Sequence, residues 1–226
     1  MAFRHLRDLF FSTCLVWAMP CSASPILLDQ SYVPTSVPPN GLLAEDTQTV
    51  AQTFTVGRGG LLSAIELDLA CCAGATGVTF PAEDLLIEIR TTLPNGLPSN
   101  DVLFATRAQS RDLSIGSFAF ERFPLGSRKF PVVPGELLAI VLSSTAPPLG
   151  LFNPYTWHGD APGGYTGGLV YVDRGGGFLE TGFDVGFKTQ VPEPAVLVLF
   201  AVGAAAVTGV RTVRSRRGLR GSSAAR

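Results

Sequence analysis

Between residues 24 and 190 no segment sustains helical periodicity over three turns; apolar residues recur instead at every second position. In LSAIELDLA, Ile65, Leu67 and Leu69 share one face and Glu66 and Asp68 the other. LLIEIRT sets Leu85, Ile87 and Ile89 against Glu88 and Arg90, and FDVGFKT sets Phe183, Val185 and Phe187 against Asp184 and Lys188. A period of two is that of a half-buried strand. ELLAIVLSS is apolar on both faces, which predicts a central strand over 137–142 covered on both sides. Glycine and proline punctuate the runs at Gly57-Arg58-Gly59-Gly60, Pro94-Asn95-Gly96, Pro134-Gly135 and Gly175-Gly176-Gly177. Roughly nine short strands at such spacing predict an all-β fold, a two-sheet jelly-roll-type β-sandwich over 24–190.

The two ends differ in kind from this body. Arg4 and Arg7 precede a largely apolar run from Leu9 to Met19, then Pro20 and the small residues Ser22, Ala23 and Ser24. That order is a secretory signal peptide, residues 1–23, with cleavage expected after Ala23. Cys21 would allow a lipidated start, but Ala18-Met19-Pro20 before it suits that processing poorly. At the other end, Val191-Pro192-Glu193-Pro194 precedes 16 uncharged residues, Ala195 to Val210, and then Arg211, Arg214, Arg216, Arg217 and Arg220. An apolar stretch with a basic stop is the layout of a membrane segment whose tail stays in the cytoplasm. Sixteen residues make roughly 24 Å of helix, short of a ~30 Å hydrocarbon core, so snorkelling arginines and local thinning of the bilayer must close the gap. A single transmembrane helix of this length is a provisional anchor.

The order of box, apolar helix and arginine cluster over 191–217, followed by a basic tail at 218–226, resembles the PEP-CTERM sorting signal of Gram-negative bacteria that make exopolysaccharide. The resemblance implies recognition by an exosortase, a membrane-embedded transpeptidase-like enzyme that cuts near the box. Val191, Pro192, Glu193 and Pro194 would then be the sorting motif and Arg211, Arg214, Arg216 and Arg217 the basic stop cluster. It further implies export through the inner membrane, transient anchoring, and a final place in the cell envelope or extracellular matrix.

With the ends set aside, the body keeps 9 basic against 16 acidic residues, a net charge of −7 that the whole-chain value of −1 conceals. Its few cations do not cluster beyond Arg128-Lys129, which argues against nucleic acid and anionic lipid as partners of the body. Its 167 residues are enough to bury roughly 70% of the unfolded surface without a metal or a disulfide scaffold. Cys71 and Cys72 are adjacent in what should be an oxidising compartment. They form either a vicinal disulfide or a pair of buried or intermolecularly paired thiols.

The succession AQTFTV, LLSAIELDL, LLIEIRTTLPNGLPS, ELLAIVLSS, YTWHGD, YTGGLVYVDRGGGF and FDVGFKTQV resembles bacterial extracellular jelly rolls of the carbohydrate-binding and galactose-binding-like kind. That resemblance rests on scaffold residues. Tyr155, Trp157, Tyr165 and Tyr171, set among glycines between Asn153 and Phe178, are the candidate carbohydrate platform, because flat rings offer apolar contact to sugar C–H faces. The opposing expectation is that Trp157 and Tyr171 are core residues.

Catalytic residues, metal and cofactor are all expected to be absent. The mature chain has one histidine, His158, which excludes HExxH-type sites, and no G-x-S-x-G elbow accompanies any serine. Asp68, Asp160 and Asp173 are hard oxygen donors, but no D-x-D-x-D-G run gathers them for calcium. The sequence therefore predicts a non-enzymatic exported protein, sorted by an exosortase, whose sandwich binds exopolysaccharide. The alternatives are a secreted carbohydrate-active hydrolase whose carboxylates pair only in space, and a purely structural or adhesion module.

Overall fold

The computed structural model describes residues 26–36, 40–73, 83–147 and 153–192. The signal peptide, Glu193, Pro194, the apolar segment 195–210, the arginine cluster and the tail 218–226 lie outside the described residues. In chain order the strands are β1 (Ile26–Tyr32), β2 (Asn40–Leu43), β3 (Thr49–Thr55), β4 (Gly60–Leu62), β5 (Ala64–Ala73) and β6 (Leu85–Thr92). There follow β7 (Pro98–Ala108), β8 (Ala119–Pro124), β9 (Phe130–Val132), β10 (Leu137–Ser144) and β11 (Asn153–Asp160). The last are β12 (Val170–Asp173), β13 (Phe178–Glu180), β14 (Asp184–Val185) and β15 (Phe187–Pro192). The expected strands are present but are divided into more, shorter pieces at Ser63 and Gly186.

The first sheet runs β1-β15-β5-β11-β14, with β8 on β5 and β2 on β11; the second runs β13-β12-β3-β10-β6-β7, and β4 and β9 form a two-stranded ribbon. Every strand pairing is antiparallel. One core joins the two large sheets in a β-sandwich-like arrangement. Ile65, Leu67, Leu69, Trp157 and Phe187 of the first sheet share it with Phe54, Ile87, Ile89, Leu138, Ile140 and Leu142 of the second. Phe54 and Phe187 meet across the layers with ring centroids 5.9 Å apart.

β10 is apolar on both faces because both are covered. Leu138, Ile140 and Leu142 enter the central core, while Ala139 and Val141 pack outward with Ala51 under Tyr171, Leu97 and Phe178. Among the described residues no helix is long and apolar enough to cross a membrane.

Candidate functional site: a polar junction and the exit of the last strand

Three strands of the first sheet meet at Gly186. Its N–H donates to the His158 carbonyl at 2.8 Å, and its carbonyl accepts from the Asp68 N–H at 3.0 Å and from Trp157 Nε1 at 2.8 Å. A Cβ at this position would lie 2.7 Å from Asp68 Cβ and 2.8 Å from Pro34 Cδ, so the junction needs glycine. Because strand side chains alternate, the neighbours divide cleanly between faces. Leu67, Leu69, Tyr155 and Trp157 enter the core, and Asp68 and His158 stand on the other side of the sheet. Trp157 is opposite Leu69 in register, which makes Asp68 and His158 cross-strand neighbours. His158 Nδ1 lies 2.7 Å from Asp68 Oδ2; a carboxylate only accepts, so Nδ1 carries the proton. Phe118 stacks on the imidazole at 4.4 Å, between centroids, with an interplanar angle of 18°.

The segment after β1 is clasped onto this junction. Asp160 accepts hydrogen bonds from Thr35 N at 2.7 Å, Ser36 N at 2.8 Å and the Tyr32 hydroxyl at 3.0 Å. Ser36 Oγ donates to the Gly159 carbonyl at 3.2 Å and lies 3.4 Å from His158 Nε2. Burial pushes the Asp160 carboxyl upward, but the bonds from Thr35, Ser36 and Tyr32 outweigh it and hold the group below its ordinary value of 3.8. Burial, with Asp160 beside it, pushes the Tyr32 hydroxyl up to about 12. Asp184 shows the opposite balance: burial raises its carboxyl even though it accepts from Tyr165 N at 2.8 Å. A Cβ on Gly163 would fall 2.1 Å from Asp184 Oδ2, so that approach also requires glycine.

The clasp has a pH signature. A carboxylate whose folded pKa is depressed stabilises the fold above its unfolded value and loses that contribution as pH falls through the folded pKa. Asp160→Asn should therefore cost roughly 1 kcal/mol near neutral pH, the scale of a hydrogen bond to a partly solvated charge, and progressively less below pH ~3.8. Urea denaturation of both proteins at pH 7 and pH 3 checks it; an equal gap at the two values would mean the carboxylate charge contributes nothing.

The structure overturns the aromatic platform. Tyr155, Trp157 and Tyr171 are 1%, 1% and 4% exposed and cannot offer their faces to a sugar. Asn153–Asp160 is a strand of the first sheet, so Tyr155 and Trp157 alternate inward with Leu69 and Cys71 opposite them. Tyr171 lies in β12 and covers the outward cluster on the second sheet. Tyr165 is half-buried, meets Phe187 edge-on at 5.1 Å between centroids, and bonds through its hydroxyl to Gln30 Oε1 at 3.2 Å. These four rings build the fold.

The sulfurs of Cys71 and Cys72 are joined in a vicinal disulfide at the buried end of β5, where Cys72 takes a left-handed φ of 60°. Asp68, Asp160 and Asp173 serve three separate purposes, the last capping its own turn through Gly175 N and Gly177 N. Among the described residues no group of three metal-ligating side chains gathers. Sequence reasoning named His158, and Asp68 only as a possible calcium donor; it did not pair them and did not name Ser36. Ser36 and Asp68 are 122 and 90 residues away from His158, and no local motif marks either.

Two further features lie away from the junction. A groove of about 330 Å³ beside β12 and β13 is lined by Leu42, Val172, Arg174, Leu179, Glu180 and Phe183. It holds one carboxylate, not the pair that glycoside hydrolysis needs. At the end of β15, the alternation begun by Phe187 and Thr189 continues through Val191, which is buried opposite Leu27, to Pro192 opposite Ile26. The folded sheet thus takes in Val191 and Pro192, the first two residues assigned to the sorting signal.

Residues 190–217 match the PEP-CTERM protein-sorting motif. A comparison of the whole chain with curated proteins gave no match. The motif directs a chain to an exosortase membrane enzyme and to the cell surface or envelope.

Proposed function

We propose that this exosortase-sorted chain is a non-enzymatic envelope protein of a Gram-negative bacterium, held transiently in the inner membrane by residues 195–210 and then displayed in the envelope or its exopolysaccharide matrix. The observation that carries the reading is the sorting motif at 190–217, which begins within the last strand of a folded all-β domain. The display domain acts as a structural or adhesion module. With three of the four candidate rings in the core, any association with exopolysaccharide proceeds without an aromatic stacking platform. Intact-mass analysis of the protein from its native host tests the reading: the expected mature form begins near Ser24 and lacks Arg211 to Arg226. A mature form that keeps those arginines overturns it.

One observation favours a second reading, a secreted hydrolase. Ser36, His158 and Asp68 follow the hydrogen-bond order of a nucleophile, a general base and its orienting acid, at 3.4 Å and 2.7 Å. Three features favour the clasp instead. The serine hydroxyl donates to the Gly159 carbonyl; the Thr35 and Ser36 amides, the donors nearest the serine, are taken by Asp160; and Phe118 covers the imidazole. Acyl transfer needs free donors aimed at the developing oxyanion. A fluorophosphonate probe should leave the full chain unlabelled. Labelling that disappears in both Ser36→Ala and His158→Ala would establish the hydrolase.

A further inference from the structure

Arg174, at the end of β12, is oriented without being neutralised. Its Nε donates to Gln48 Oε1 at 2.8 Å. Gln48 is buried, and its own Nε2 donates to the Leu43 carbonyl of β2 at 2.8 Å. The relay ties a guanidinium of the second sheet to a strand of the first, and it uses Nε alone. Among the described residues neither terminal nitrogen of Arg174 has a hydrogen-bond partner, and no carboxylate pairs with it.

Arg174 lines the groove of about 330 Å³ beside β12 and β13. Val172 of that lining belongs to the central core, Leu42 and Phe183 pack against it, and Leu179 stands 74% exposed at the rim. Val172 and Leu179 are opposite each other in register and share the inner face. Tyr171 and Glu180 are the adjacent pair and share the outer one, where Tyr171 covers its cluster and Glu180 acts electrostatically on the Tyr171 hydroxyl. The one carboxylate at the groove is thereby turned away from its floor. The wall beyond β13 is pinned in place: Thr181 N donates to the Val170 carbonyl and Gly163 N to the Gly182 carbonyl, each at 2.9 Å. Thr181 Oγ1 is engaged as well, accepting from Phe183 N at 3.2 Å.

We propose that this groove binds a small amphipathic carboxylate, an unbranched acyl chain ending in a carboxylate that docks on Arg174. Its volume is at the lower end of the ~300–1,000 Å³ of small-molecule sites. The terminal nitrogens of a guanidinium match a planar carboxylate through two parallel charge-assisted bonds, a fit that a point charge does not offer. The apolar chain then covers Leu42, Val172, Leu179 and Phe183. A sugar suits the lining less well, because its hydroxyls would find few free partners there. The site does not depend on the display role of the domain.

Equilibrium dialysis of radiolabelled octanoate at pH 7 against the full chain in lipid nanodiscs, with empty nanodiscs as the blank, tests the site. Octanamide competes with the same tail and no charge, and acetate with the charge and no tail. The expected result is saturable binding at one site, with both competitors weaker than unlabelled octanoate by about tenfold or more. Arg174→Gln should weaken octanoate about tenfold, the scale of one lost charge-assisted pair. Leu179→Asn should weaken it by a smaller factor, and Glu180→Gln should bind like the parent. All three positions are exposed, so circular dichroism melts should show each variant folded. No saturable binding above the blank overturns the site. Octanamide competing as well as octanoate, or an Arg174→Gln chain that binds like the parent, overturns the recognition of a carboxylate. Acetate competing as well as octanoate reduces the site to an exposed arginine and overturns it too.

Discussion

Trp157→Ala should cost the domain about 3–5 kcal/mol, the usual loss for truncating a large buried ring. Since a domain of this kind is held by only ~5–15 kcal/mol, the variant will be close to unfolding. Trp157 is among the largest fully buried side chains, and its Nε1 also donates to the Gly186 carbonyl at the three-strand junction. Urea denaturation read by circular dichroism measures the loss. Trp157→Phe should retain most of the stability, because it keeps an aromatic ring and gives up one buried hydrogen bond, worth about 1 kcal/mol. A Trp157→Ala protein that melts like the parent, yet migrates differently in a gel containing the host's exopolysaccharide, would return the ring to the surface and reverse the assignment.

The second large effect concerns processing and leaves the fold intact. Changing Pro192, Glu193 and Pro194 together to alanine should abolish maturation and leave a full-length chain retained in the membrane. Pro192 lies at the outer end of β15, opposite Ile26, and a strand end tolerates alanine as readily as proline. Thermal stability should therefore be unchanged while the intact mass rises by the unremoved C-terminal segment. The combination is the informative result. Loss of maturation together with loss of folding would trace the effect to β15, and normal maturation would exclude the box as the recognised element.

Where one face of a strand met the core, its pattern could be read directly. Ile65, Leu67 and Leu69 are buried as their alternation requires, Leu85, Ile87 and Ile89 likewise, and ELLAIVLSS is the doubly covered strand it resembles. The same rule applied to NPYTWHGD would have sent Tyr155 and Trp157 inward and Thr156 and His158 outward. The glycines around its rings made the segment read instead as a candidate carbohydrate platform. Gly159, for one, is there because a Cβ would stand 2.6 Å from the Asp184 carbonyl oxygen. That is a packing demand, and it leaves no local trace in the sequence. The Ser36–His158–Asp68 arrangement was illegible for a related reason: two strands and the segment after β1, distant in sequence, bring its members together, and each is an ordinary residue in its own segment. The Cys71–Cys72 bond could be posed as an alternative because adjacency is visible, but its place at the buried end of β5 is not.

The position of β15 within the first sheet sets an order of events for the nascent chain. It lies between β1, the first strand made, and β5, so the sheet lacks an interior member until residue 192 is available. Closing a loop from β1 to β15 spans nearly the whole domain, and such non-local pairings are among the slowest steps in folding. The chain therefore crosses the membrane without a completed sheet to obstruct its passage. The last strand emerges immediately ahead of the uncharged segment, so under the proposed anchoring the arrest of the C-terminus would coincide with delivery of the missing strand. Assembly of the domain and presentation of the box to its enzyme would then be a single event, and a chain truncated before Phe187 would have neither a completed sheet nor a box.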